Sequence, residues 1–228
     1  MKKILSAIFV TMLATATFSQ GLYVSANAGY GFSMGSQTGG DPIGIGNSYN
    51  YTRIRNSAST TRTYEQVNTS LGKGLNFGVA LGYMFNKNIG AELGISYLLG
   101  GKTETTNEYT DITSAPIDHQ IETITLSANM LRIIPTIVIA SGLENINPYA
   151  KFGLVIGSGS ITETYKDNDN NDITIITAKL NGGIALGLSS SLGVMYNLSD
   201  NISLFGELNM INMSYAPTKA ELTENTYN

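Results

Sequence analysis

Residues 77–100, FGVALGYMFNKNIGAELGISYLLG, alternate large apolar side chains with glycine, alanine and serine, interrupted only around Asn86-Lys87-Asn88. A period of two is that of an extended strand, whose successive side chains point to opposite faces. A strand half buried in a water-soluble domain sets its apolar face against Lys, Glu, Thr or Gln. Here the second face is nearly empty, so the large side chains must look toward something other than a protein core.

The same rule can be followed along the chain. Segment 22–33 places Leu22, Val24, Ala26, Ala28, Tyr30 and Phe32 opposite Tyr23, Ser25, Asn27, Gly29 and Gly31. Segments 75–85 and 89–102 follow it, as does 149–163, with Ala150, Phe152, Leu154 and Ile156 opposite Lys151, Gly153, Val155 and Gly157. Segment 173–198 sets Ile184, Leu186, Leu188, Leu192, Val194, Tyr196 and Leu198 against Gly183, Ala185, Gly187, Ser189, Ser191 and Gly193. Segment 202–215 sets Ile202, Leu204, Leu208 and Met210 against Ser203, Phe205, Glu207 and Asn209. Segment 121–142 is irregular: Leu126, Ala128 and Met130 share one phase, and Leu131, Ile133, Pro135, Ile137 and Ile139 the other. A proline cannot donate to a strand ladder, so a bulge between Met130 and Pro135 is expected.

Seven strands result, expected to form an all-β, up-and-down antiparallel barrel. Short turns at Asn86-Lys87-Asn88, Glu144-Asn145-Ile146-Asn147 and Ser199-Asp200-Asn201 alternate with long polar stretches at about 34–70, 103–120 and 163–172. Lipid outside and a narrow lumen inside account for both faces, because hydrocarbon takes the large apolar groups and a tight interior takes small or polar ones. Tyr30, Tyr83, Phe85, Tyr97 and Tyr196 fall near strand ends, where an aromatic girdle meets the headgroups. A soluble lipocalin-like barrel needs the reverse orientation, and segments 75–85, 89–102 and 173–198 lack the polar partners for it.

The chain begins MKKILSAIFVTMLATATFSQG, a basic start, an apolar run and small residues near Ser19, which is the layout of a cleaved signal peptide over residues 1–19. Losing Lys2 and Lys3 takes the 13 basic side chains to 11 against 17 acidic ones, a net charge of −6 that disfavours nucleic acid as a partner. Cysteine is absent, which removes disulfides, thiolate metal sites and a lipoprotein anchor. No later run is long and apolar enough for a membrane helix.

The signal ending TATFSQ and the strand start GLYVSANAGYGFS resemble the small outer-membrane β-barrel family of Gram-negative bacteria, in its OmpA-like and OmpX-like class and Bacteroidota type. The resemblance spans residues 1–215. It implies an outer-membrane location, eight strands, both termini in the periplasm, outer-membrane lipid and lipopolysaccharide as surroundings, and insertion by the barrel assembly machinery. A monomer is expected. Residues 20–215 then form the barrel, and 216–228 a polar outer-loop tail without apolar alternation. With seven strands and no terminal aromatic residue, the sequence reads as a fragment cut before its last strand.

The small-residue phase carries Glu92, Arg132, Lys151, Lys179 and Glu207, expected as a paired charge network threading the lumen. The other reading is a charged constriction that selects ions. No catalytic, cofactor or metal residues are expected, and no enzyme. His119 in PIDHQIE is the lone histidine, with Ile121 where a lipid A deacylase carries serine. The run Asp167-Asn168-Asp169-Asn170-Asn171-Asp172 lacks the central glycine of a calcium loop and has Ala178 at the position of its closing acid. Arg53, Arg55 and Arg62 mix with Tyr49, Tyr51 and Tyr64 in the first long loop, as a solvated loop or an anion-contacting patch. The expected roles are membrane integrity or surface contact through the outer loops. A narrow passive pore is the alternative, and a lipid-modifying enzyme a remote one.

Overall fold

The computed structural model describes residues 21–32, 49–66, 70–114, 117–169 and 172–227. The expected signal peptide, residues 33–48 of the first long loop, Asn170, Asn171 and Asn228 lie outside them. Among the described residues twelve strands are formed, against the seven that the sequence predicts: β1 (Gly21–Gly31), β2 (Tyr49–Arg55), β3 (Thr60–Gln66), β4 (Gly74–Met84), β5 (Ile89–Gly100), β6 (Thr103–Asp111), β7 (Asp118–Ala140), β8 (Ile146–Asp169), β9 (Asp172–Asn181), β10 (Ala185–Ser199), β11 (Ile202–Tyr215) and β12 (Lys219–Tyr227).

They belong to one sheet built as two tiers. The lower tier runs β1-β4-β5-β7-β8-β10-β11, every pair antiparallel. The upper tier runs β3-β2-β6-β7-β8-β9-β12, with only β2 and β6 parallel. β7 and β8 are shared and form the spine of both. Among the described residues no ladder joins β1 to β11, so the lower tier is a curled, unclosed sheet.

The lower tier carries the two-residue period. Phe77, Leu93 and Leu186 face outward, 49 %, 52 % and 62 % exposed, while Met84, Leu98, Val138, Val155 and Met195 point inward and are fully buried. Its lower end is closed by short turns, in which Asn86 Oδ1 accepts from the backbone N–H groups of Asn88 and Ile89, both at 2.8 Å. Asn147 Oδ1 does the same for Ser141 Oγ and Gly142 N.

Four expectations need correction. The long polar stretches are strands: segments such as TETTNEYTD and ITIITAKLN are rich in Thr, Ile and Tyr, which suit a pleated surface, and most of their side chains are only partly buried, so no apolar alternation marks them. The polar tail likewise adds as β12 to β9. Segment 173–198 is two strands, broken by Gly182 and Gly183 at φ 75° and 73°, a left-handed pair that turns the chain from the upper tier into the wall. Finally, the bulge at Met130–Pro135 does not exist. The β5–β7 register runs unbroken from Ile89↔Ile139 to Leu99↔Asn129, and Leu126, Ala128, Met130 and Arg132 all face inward in one phase.

That last correction revises the interior. It is a packed core with apolar layers, one of Leu98, Met130 and Ala185, another of Leu126, Ala128, Ile161 and Leu180. Glycine makes this possible. A Cβ on Gly82 would collide with the Tyr23 ring, one on Gly193 with the Tyr149 ring, and one on Gly90 with Met84 Sδ. Each glycine is the hollow into which a neighbouring strand's long side chain fits.

Candidate functional site

Register brings the charged residues of the lower interior together. Lys151 on β8 faces Glu92 on β5 and Glu207 on β11, and its Nζ lies 3.0 Å from Glu92 Oε1 and 3.3 Å from Glu207 Oε2. Two tyrosines complete the arrangement: Tyr23 on β1 donates to Glu92 Oε2 at 2.9 Å, and Tyr149 donates to Glu207 Oε2 at 3.0 Å. The ammonium also stands over the rings of Tyr149 and Phe205, at 5.3 and 5.8 Å.

These groups are largely removed from solvent. The side chains of Lys151, Glu92 and Glu207 are 12 %, 8 % and 15 % exposed. A buried ion pair repays its desolvation only when further hydrogen bonds satisfy the remaining lone pairs, and the two phenols supply them here. The layer ties β1, β5, β8 and β11 across the enclosed side of the curled sheet. The void left among its side chains is about 10 Å³, room for about one water.

The other two charges of the expected network stand apart. Arg132 is buried higher up, donating from Nη2 to Asn76 Oδ1 with no carboxylate beside it among the described residues. Lys179 is exposed on β9, in register with Glu221 of β12. A single wall strand over 173–198 would put it in the lumen, but the break at Gly182-Gly183 puts it in the upper tier. Tyr23 and Tyr149 show how the hydrogen-bond donors could have been found, since each is a lone aromatic in the small-residue phase facing a glycine on the next strand.

Of the expected girdle, Tyr83, Phe85 and Tyr196 lie outward at the short-turn end and Tyr97 outward at the upper end. Tyr30 is partly buried and packs edge-on against Phe32 at 5.1 Å.

In the upper tier, Arg55 pairs with Asp111 at 3.4 Å and the Arg53 guanidinium covers the Tyr109 ring at 5.3 Å. Arg62 is exposed and directly opposite Arg53. For Tyr49, Tyr51 and Tyr64 only the backbone is described. Glu122 accepts from Tyr165 Oη and Asn107 Nδ2. His119 is exposed, with Nδ1 3.1 Å from Thr110 Oγ1 and Nε2 3.9 Å from Glu108. Asp167 accepts from Gln120 Nε2. Among the described residues no group of three or more His, Asp and Glu side chains is arranged to hold a metal ion, and no helix is long and apolar enough to cross a membrane.

Comparison with known proteins agrees with this architecture. The family model for the outer membrane protein beta-barrel domain matches residues 4–228. No curated protein and no solved structure matches the chain. With nearly its whole length matched, and a wall of alternating strands whose large apolar side chains face outward, the chain belongs to the outer membrane β-barrel domain family and is an outer-membrane protein.

Proposed function

We propose that this protein is an exported, non-enzymatic barrel of the small OmpA-like and OmpX-like class and Bacteroidota type, stabilising the outer membrane and presenting its upper tier at the cell surface. The observation that carries this reading is the Lys151 layer. Its ion pairs, phenols and apolar neighbours pack together around a void of about 10 Å³, room for about one water. A charged constriction built to pass ions keeps water around its charges, whereas these are mutually satisfied.

The upper tier supports surface contact. Its strands extend beyond the lipid-facing band and carry Arg53, Arg55 and Arg62 on a single face, within reach of anionic lipopolysaccharide. Insertion by the barrel assembly machinery and a monomeric state belong to the same reading.

Single-channel conductance in planar bilayers tests the plug, comparing the wild type with Lys151→Ala and Glu207→Ala. A closed wild type, and variants that lose stability without gaining conductance, are the expected results. Regular ion-selective steps in the wild type, changed by either substitution, would make the protein a narrow passive pore instead.

A further inference from the structure

The lower tier has two free edges. Six antiparallel steps lead from β1 to β11, so the two edge strands run in the same direction, upward from the short-turn end. They cannot close the wall with an antiparallel ladder of their own. Their Cα traces stay more than 8 Å apart along nearly their whole length. Neighbouring strands lie about 4.8 Å apart, so two edges flanking one vacant strand position stand about 10 Å apart.

Local packing marks the same opening. Among the described strands, three glycines have nothing within 4 Å of the position a Cβ would take: Gly21 and Gly29 on β1, and Gly206 on β11. The inward phase of β4 and β5 is buried or half-buried throughout, yet Asn27 on β1 and Asn209 on β11 are exposed in that phase. The side of β1 away from β4, and the side of β11 away from β10, lack a neighbour.

Lipid makes such an opening costly. In an antiparallel ladder alternate residues turn their N–H and C=O groups to opposite sides, so half of those groups on β1 and β11 point into the gap. Hydrocarbon offers them no partner. One strand antiparallel to both edges satisfies both rows at once, and the 11 residues of β1 set its length.

The source of that strand follows from β12. It continues β11 after residues 216–218, runs in the same direction and pairs with β9, so its other side prolongs the free edge of β11. A turn after Tyr227 delivers a following segment down that edge, antiparallel to β12, β11 and β1.

We infer that the gap between β1 and β11 is a docking slot for one antiparallel strand of the same polypeptide, following β12 and matching the 11 residues of β1. Its large apolar side chains face lipid, and its small, amide or hydroxyl side chains face Asn27 and Asn209. The inference rests on the lipid-facing orientation of the wall and holds whether or not the Lys151 layer conducts.

The test uses the chain in lipid vesicles with nitroxides at Asn27→Cys and Asn209→Cys. The probe is a synthetic peptide GLNFGVALGYM, the sequence of β4, which pairs antiparallel with β1. Both labels should lose mobility as peptide is added, saturating at one peptide per chain, and a peptide of the same composition with its alternation scrambled should have no effect. If the chain does not insert alone, the β4 peptide should raise the folding yield and the scrambled one should not. The coding frame beyond Asn228 should supply a segment of matching alternation. Labels and yield indifferent to the peptide, a dimer cross-linked through Asn27→Cys and Asn209→Cys in its absence, or a stop codon directly after Asn228 would overturn the inference. A label at Leu188 in the same vesicles separates two kinds of failure. No contact with dissolved oxygen there faults the lipid-facing orientation itself, whereas oxygen contact with indifferent edge labels faults the slot alone.

Discussion

The ammonium of Lys151 lies 3.0 Å from Glu92 Oε1, joining β8 to β5 across the enclosed side of the curled sheet. Removing it strands two carboxylates in an interior that cannot solvate them. Lys151→Met should therefore cost about 3–5 kcal/mol, the range for breaking one partner out of a buried pair. Urea unfolding in lipid vesicles, followed by electrophoretic mobility, measures it. Adding Glu92→Gln and Glu207→Gln to Lys151→Met should restore part of the loss, because the uncompensated charges go with it.

Gly193 is the hollow for the Tyr149 ring, and that ring delivers the hydroxyl bonded to Glu207. An alanine there cannot be absorbed by rotating the ring without losing the hydrogen bond. Gly193→Ala should destabilise by about 1–3 kcal/mol, as overpacking does. Gly206→Ala, where nothing lies within 4 Å of the added methyl, should change stability far less in the same assay.

Leu192 is 67 % exposed and would be a harmless site for a charge if water surrounded the protein. It lies near the middle of the lipid-facing stretch of β10. Leu192→Arg should cost about 2–4 kcal/mol in a bilayer, the range for a cation at the membrane midplane. Folding yield into vesicles and urea unfolding report the loss.

Asp111, in the upper tier, accepts hydrogen bonds from the hydroxyl and backbone N–H of Thr113, with Arg55 nearby, and these hold its carboxyl below the ordinary value of 3.8. A depressed carboxylate contributes order that is complete above 3.8 and is lost as pH falls through the lowered value. The Thr113 amide resonance should shift with a midpoint below 3.8, and Asp111→Asn should abolish that titration.

The lower tier was legible because lipid enforces its pattern. Phe77, Leu93, Leu186 and their neighbours alternate with small residues, and the expected bounds of β11 match the structure. Where lipid is absent the signal fails: TTRTYEQ and KAELTENTY pair as strands wetted on both sides, and nothing in their periodicity separates them from loops. The interior misled for another reason. Leu126, Ala128 and Met130 are apolar like the lipid face but point inward, so side-chain chemistry alone suggested a bulge where the register is continuous. The ionic partners Glu92, Lys151 and Glu207 all belong to the inward phase that the alternation predicts. That Lys151 would bridge both acids while Arg132 stood apart depended on register between strands, which no single segment encodes.

The most direct test is a single-cysteine nitroxide scan of β10 in lipid vesicles, free of background because the chain has no native cysteine. Labels at Leu188 and Leu192 should be accessible to oxygen dissolved in the acyl chains, and labels at Ser189 and Ser191 should be shielded from it. The opposite alternation, with Ser189 and Ser191 in contact with lipid and Leu188 and Leu192 enclosed, would contradict the orientation on which the whole interior, charge layer included, is built.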